Sequence, residues 1–144
     1  MSIKNIFTQG PISPALVAES LEQHSTKTAI GAHSLFLGQV RADLLGDQRV
    51  TAIQYSTYEP MALETMHEIR EGIFARYPLT CLHVYHSLGT VRAGEISLFV
   101  LASSPHRRAA IDACNEVVEA IKQSLPVWGK EIFDNQESRW KENQ

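Results

Sequence analysis

The segment that most limits the fold is EISLFVLASSPHRRAAIDACNEVVEAIKQS, from Glu95 to Ser124. Glu95 to Ala102 is almost wholly apolar and reads as a buried strand. Ser104 and Pro105 follow, a capping residue and a proline suited to the first helical position. Beyond them Ala110, Cys114, Val117, Val118 and Ile121 fall on one side of a helix reaching about Ser124, with Asp112, Glu116 and Glu119 on another. A strand feeding an amphipathic helix demands a sheet on which that helix can lie.

The rest of the chain supplies the sheet. Ile3 to Phe7 reads as a short strand. Ser13-Pro14 repeats the cap-plus-proline signal, opening a helix with Leu16, Val17, Ser20 and Leu21 inward and an end near Ser25. Ala29 to Val40 is rich in strand formers, Leu45-Gly46-Asp47 marks a loop, and Val50 to Tyr58 alternates as a strand. Glu59 to Arg76 has helical spacing and Pro78 stops it. Leu79 to Leu88 and Glu95 to Ala102 are strands separated by a Gly89 to Gly94 loop, and Val127 to Phe133 is a terminal strand. The expectation is one α+β domain, residues 1–144, with about three helices on a mostly antiparallel sheet.

Charge and composition exclude several classes. The net charge of −3 leaves no broad basic face for nucleic acid or an anionic membrane. No stretch approaches the roughly 18–20 apolar residues of a membrane span, and the N-terminus lacks a signal-peptide pattern. A cytoplasmic protein is expected. Cys81 and Cys114 lie far apart in apolar company and read as buried free thiols. His83 and His86, three apart on a strand, face opposite sides, and His24, His33 and His67 have no ligand-like neighbours in sequence. No metal site and no cofactor are expected.

Three basic clusters remain. FLGQVR ends in Arg41 at the end of a strand, with Gly38 allowing close approach; the alternative is a surface arginine beside Asp43. SSPHRR places His106, Arg107 and Arg108 in a first helical turn, where the helix dipole disfavours cations and favours a bound anion. Asp112 and other acids neutralising the arginines is the alternative. In IKQSLPVWGKEIF, Lys122 and Lys130 bracket a stiff apolar turn, in a chain with five lysines in all. Lys122 is either an exposed partner of Glu119 or, on the shoulder of the apolar face, a desolvated lysine of lowered pKa. These residues alone allow an unspecified enzyme acting on a phosphorylated ligand.

The succession FLGQVR, LGDQRVTAIQYSTYEPMA, HVYHSLGTVRAGE, SSPHRRAAIDAC and IKQSLPVWGKEIF resembles the large, catalytic subunit of molybdopterin synthase. The likeness runs from about Ala29 to Trp140. It implies an α/β hammerhead fold and a homodimer within a heterotetramer. Each end of the dimer would bind a small ubiquitin-like sulfur carrier with a C-terminal Gly-Gly thiocarboxylate. The reaction implied converts cyclic pyranopterin monophosphate into molybdopterin by installing two sulfurs as a dithiolene. The protein itself would supply no sulfur, so Cys81 and Cys114 receive no role.

The resemblance also assigns residues. The family's substrate-binding motif falls on Gln39, Val40 and Arg41, its His-Arg pair on His106 and Arg107, and its principal catalytic lysine on Lys122. The family often has a second lysine directly after the tryptophan. Here that position is Gly129, and lysine comes one residue later as Lys130, followed by Glu131. A one-residue step along a strand reverses the side-chain face, so Lys130 reaches the pocket only if the backbone bulges at Gly129. Otherwise Arg41 supplies the charge, or the chain is a dimeric binding module that holds the carrier or a phosphorylated ligand without catalysis. Arg107 and Lys122 share one predicted helix, with their Cα atoms roughly 22 Å apart. A site using both would therefore cross the dimer interface.

Overall fold

The computed structural model describes residues 5–141. The elements in chain order are β1 (Phe7–Gln9), α1 (Pro14–Gln23), a 3-10 turn (His24–Thr26), β2 (Ala32–Gln39), β3 (Leu44–Leu45) and β4 (Gln48–Thr57). Then come α2 (Glu59–Arg76), β5 (Cys81–Arg92), β6 (Ile96–Ser104), α3 (Arg107–Ser124), β7 (Val127–Phe133) and β8 (Ser138–Trp140). The strands form one sheet in the order β2-β6-β5-β4-β7-β8, with β1 beside β5 and β3 beside β4. The pairings are antiparallel apart from β1 with β5. The expected α+β class, with three helices on a largely antiparallel sheet, is observed. The strand expected at Ile3 to Phe7 lies partly outside the described residues, and its last residue opens β1.

Two sequence expectations need correction. Gly89 to Gly94 is not a loop throughout, because β5 continues to Arg92. Its first part, Cys81 to His86, pairs with β6, and its last part, Gly89 to Arg92, pairs with β4. Gly89 sits at the change of partner with φ +80°, a conformation that a side chain would strain. The second correction concerns the start of α3. Ser104 is not its cap but the last residue of β6, fully buried and paired with Ala32. Its hydroxyl donates to the Pro78 carbonyl at 3.1 Å and accepts from the His106 N–H at 3.3 Å. Sheet pairing has overridden the capping preference, and His106 takes the N-cap position. At α1 the expected cap is present, with Ser13 Oγ accepting from Ala15 N at 3.1 Å.

The sheet separates two apolar layers. On one face α2 and α3 cover Leu82, Val84, Leu98, Val100 and Ala102. The buried stripe of α3 comprises Ala110, Ala113, Cys114, Val117, Val118 and Ile121, so the helical spacing is realised as packing. Each fully buried Val or Ile side chain contributes roughly 1.5–3 kcal/mol. This burial fixes α3 along the sheet and carries its last turn, with Lys122, to the place where β4 and β7 pass beneath. On the other face Leu16, Val17 and Leu21 of α1 pack on Phe99, Leu101 and Tyr85. Cys81 and Cys114 are buried free thiols, as expected.

Candidate active site

Beneath the end of α3 lies a cavity of about 360 Å³. The end of β2 forms one wall with Gly38, Gln39, Val40 and Arg41, and β4 contributes Ile53 and Tyr55. Asp43, Ser97, Lys122, Glu131 and Lys141 supply the rest of the polar lining. The β2–β6 register shifts between Gly38 and Gln39, which ends regular pairing where the wall is needed. Val40 is anchored by backbone bonds on both sides, to Glu95 O at 3.0 Å and from Gly94 N at 2.8 Å. Arg41 is thereby held at the rim, exposed, with its Nε 3.3 Å from the Asp43 carboxylate. The two sequence readings of Arg41 are thus both met: it pairs with Asp43 and it lines the cavity.

A narrower cleft continues from the cavity past Tyr55 and Lys122 to His86, Val127 and Gly129. A second recess, of about 300 Å³, continues past Arg41 and Glu131 to Arg139. Lys141 borders all three spaces.

Lys122 has a lowered pKa. Desolvation by burial is the larger cause and repulsion from Lys141 the lesser. The residue as a whole still exposes more than a third of its surface. Next to Lys122, His86 is buried and its pKa is pushed down to about 4, first by desolvation and to a lesser extent by Lys122, against a raising hydrogen bond with Ser87. Its Nδ1 donates to Ser87 O at 2.8 Å, and its ring meets Tyr55 edge-on at 5.3 Å. Burial also raises the Tyr55 pKa. At neutral pH the lysine therefore stands beside an uncharged imidazole and an uncharged phenol.

Glu131 is buried, with 3% of its surface exposed, and its carboxylate accepts from Arg139 Nε at 3.2 Å. The arginine comes from β8, a strand that sequence reading missed. Only three residues long and exposed throughout, β8 carries no buried alternation to betray it.

The bulge that would turn Lys130 inward is absent. The β4–β7 register runs unbroken from Thr57 opposite Val127 to Ala52 opposite Ile132, passing Gly129 without a shift. Lys130 instead lies with its Nζ 5.3 Å from the Trp140 ring centroid, and it lines none of the three spaces. Gly129 borders the cleft and Glu131 the cavity, as strand alternation requires. A Cβ at Gly129 would lie 2.9 Å from Ile53 Cγ2. The lysine that joins Lys122 in the lining is Lys141, which sequence reading missed because it follows β8, far from any motif.

His106 and Arg107 do not join this cavity. They are exposed at the opposite end of α3 from Lys122, and no ion pair among the described residues involves Arg107 or Arg108.

Fold and cavity together define an α+β protein in which a lysine of lowered pKa shares a cavity with Arg41, Lys141 and the carboxylates of Asp43 and Glu131. Residues 7–124 match the family described as MoaE protein. The molybdopterin synthase catalytic subunit 1 of Aedes aegypti is 41% identical over 116 residues, spanning 78% of this chain and 74% of that one. The molybdopterin synthase structure from Staphylococcus aureus superposes with a TM-score of 0.82 at 29% identity, covering 94% of this chain and 95% of that one. A complex of subunits 1 and 2 of the molybdopterin-converting factor from Helicobacter pylori 26695 gives a TM-score of 0.80 at 18% identity, covering 96% and 90%. At that identity the likeness speaks for the fold alone. The chain belongs to the molybdopterin synthase catalytic-subunit family.

Proposed function

We propose that this protein is the catalytic subunit of a cytoplasmic molybdopterin synthase, and that it transfers sulfur to cyclic pyranopterin monophosphate to make the dithiolene of molybdopterin. The donor is the C-terminal Gly-Gly thiocarboxylate of a small ubiquitin-like carrier. The observation that carries this reading is Lys122, a lysine of lowered pKa set with Arg41 and Lys141 around one cavity. Arg41 binds the substrate phosphate through its paired donors. Lys122 moves protons, or offsets charge, as sulfur adds to the substrate and the carrier carboxylate leaves. Lys141 takes the part given to the lysine that relatives have at the position of Gly129. The groove past Val127 and Gly129 admits the carrier tail.

His106 and Arg107 enter from a second copy of the chain. They lie roughly 22 Å along α3 from Lys122, too far for one small substrate to bridge within a subunit. The working unit is accordingly a homodimer with a carrier at each end.

Gly129 favours a second reading, a dimeric module that binds the carrier or a phosphorylated ligand without catalysis. A single-turnover assay separates the two. Wild type is combined with thiocarboxylated carrier and cyclic pyranopterin monophosphate, and dithiolene product is followed. Product from wild type and none from Lys122→Ala supports the enzyme. No product from folded wild type that still binds the carrier leaves the binding module. Mixed dimers of Lys122→Ala and Arg107→Ala subunits should recover part of the activity through one intact composite site.

A further inference from the structure

We propose that His24, Cys81 and His83 form a binding site for a zinc-type divalent transition metal ion, on the face of the sheet opposite Lys122. The ligand atoms of the three side chains all lie within 4.8 Å of one another. Cys81 and His83 are two apart on β5 and so share one face of the strand. That face is the one packed by α1, whereas Leu82 and Val84 point to α2 and α3. His24 arrives from the 3-10 turn that ends α1, and it is buried. Packing of Leu16, Val17 and Leu21 on Phe99 and Leu101 holds that turn over β5 without help from a metal. Sequence spacing hid the cluster, because His24 and His83 are 59 residues apart.

The hydrogen bonding suits a ligand role. His24 Nδ1 lies 2.6 Å from the Ser20 carbonyl oxygen. A carbonyl only accepts, so Nδ1 carries the hydrogen and Nε2 presents a lone pair. An imidazole oriented by a backbone carbonyl behind it is the arrangement that metal-bound histidines use. That lone pair points at His83 Nε2, 2.9 Å away. With bonds of about 2.0–2.1 Å to nitrogen and about 2.3 Å to sulfur, tetrahedral ligand atoms stand roughly 3.3–3.8 Å apart. In the present contact His83 Nε2–H donates to that lone pair, so admitting the ion requires His83 to carry its hydrogen on Nδ1 instead and the two rings to separate slightly. A two-histidine, one-thiolate set suits zinc or cobalt, and a fourth position is left for solvent or an outside ligand.

Lys27 Nζ donates to Cys81 Sγ at 2.9 Å, and His33 stands at the edge of the cluster, its ring 6.1 Å from that of His24 and its Nδ1 2.7 Å from Ser103 Oγ. Lys27 is exposed and can withdraw into water, but its charge opposes that of the ion. The metal would tie the end of α1 to β5 and would leave the chemistry at Lys122 untouched.

The test is titration of metal-free protein with Co²⁺ and then Zn²⁺. The expected result is one Co²⁺ per chain with sulfur-to-cobalt charge-transfer absorption, displaced by Zn²⁺. Zn²⁺ at a hundred times its Kd should raise the Tm by about 5 °C or more. Cys81→Ser should abolish the charge-transfer band. His83→Gln should weaken Co²⁺ binding at least tenfold while leaving the thiol in place, and it decides the matter if Cys81→Ser does not fold. Lys27→Met should tighten binding. Absence of saturable, thiolate-bound Co²⁺ in folded wild type would overturn the site. So would Co²⁺ affinity unchanged in His83→Gln.

Discussion

The backbone N–H of Lys141 donates to the carbonyl of Gly129 at 2.7 Å. This bond joins Gly129 to a lysine eleven places beyond Lys130, just past the end of β8. Lys141 lines the cavity that Lys122 lines, and Lys130 does not. Lys141→Ala should therefore slow single turnover by at least about tenfold, in keeping with loss of one charge-stabilising group. Lys130→Ala should stay within about twofold of wild type. The opposite ranking in the same assay would return the second cation to Lys130.

The same pair predicts a pH effect. Lys141 helps to lower the Lys122 pKa, because a second positive charge disfavours the protonated ammonium. Lys141→Met removes that repulsion, so the Lys122 pKa must rise toward its ordinary value. The limb of the pH–rate profile that reports Lys122 should shift to higher pH. A limb that does not move would show that burial alone sets the lysine.

How much of this was legible in the sequence varies by element. The residues of α2 and β7 can be delimited from sequence, since Pro78 stops one and the apolar run Val127 to Phe133 defines the other. The α3 stripe was equally readable, because burial on one helical face imposes its own period. Arg41 and Lys122 emerged through motif likeness, and the cavity places them together. Lys141, Arg139 and His86 did not emerge. Two of them depend on an exposed three-residue strand. The third is one histidine among six, and its burial exists only once β5 meets β4. The start of α3 misled because Ser104 satisfies a local capping rule that a sheet partner overrode.

Gly129 is a packing requirement. A Cβ there would sit 2.9 Å from Ile53 Cγ2 and 3.4 Å from the Tyr55 ring. Ile53 is β-branched and buried, so it has little room to yield. Gly129→Lys should thus destabilise the protein by about 1–3 kcal/mol through overpacking. Ile53→Ala in the same chain should relieve that clash, so the two substitutions should cost less together than the sum of each alone. Urea unfolding of the four proteins in the cycle measures the coupling. Strict additivity would mean that the glycine is free to accept a side chain.

His86 should control the acid limb of stability. Its folded pKa is about 4, against an ordinary value of 6.5. Between those values the unfolded chain binds a proton that the folded chain refuses, so stability rises with pH across the window. The contribution is complete above pH 6.5 and is lost as pH falls toward 4. A shift of that size corresponds to about 3 kcal/mol at the acid end. Glu116, whose pKa is lowered by its bonds to Tyr77 and Arg76, acts in a different window, below its ordinary 4.5. Lys122 acts in a window that runs from its lowered folded pKa up to its ordinary 10.5, and its charging penalty is relieved as pH rises through that window. Denaturant unfolding at intervals from pH 7.5 to 4.5 isolates the histidine. Wild type should lose stability steadily below pH 6.5, and His86→Gln should show a flatter line over the same interval. Equal slopes in the two proteins would mean that the His86 ring reaches water and protonates in the folded state, and the uncharged surroundings assigned to Lys122 would fall with it.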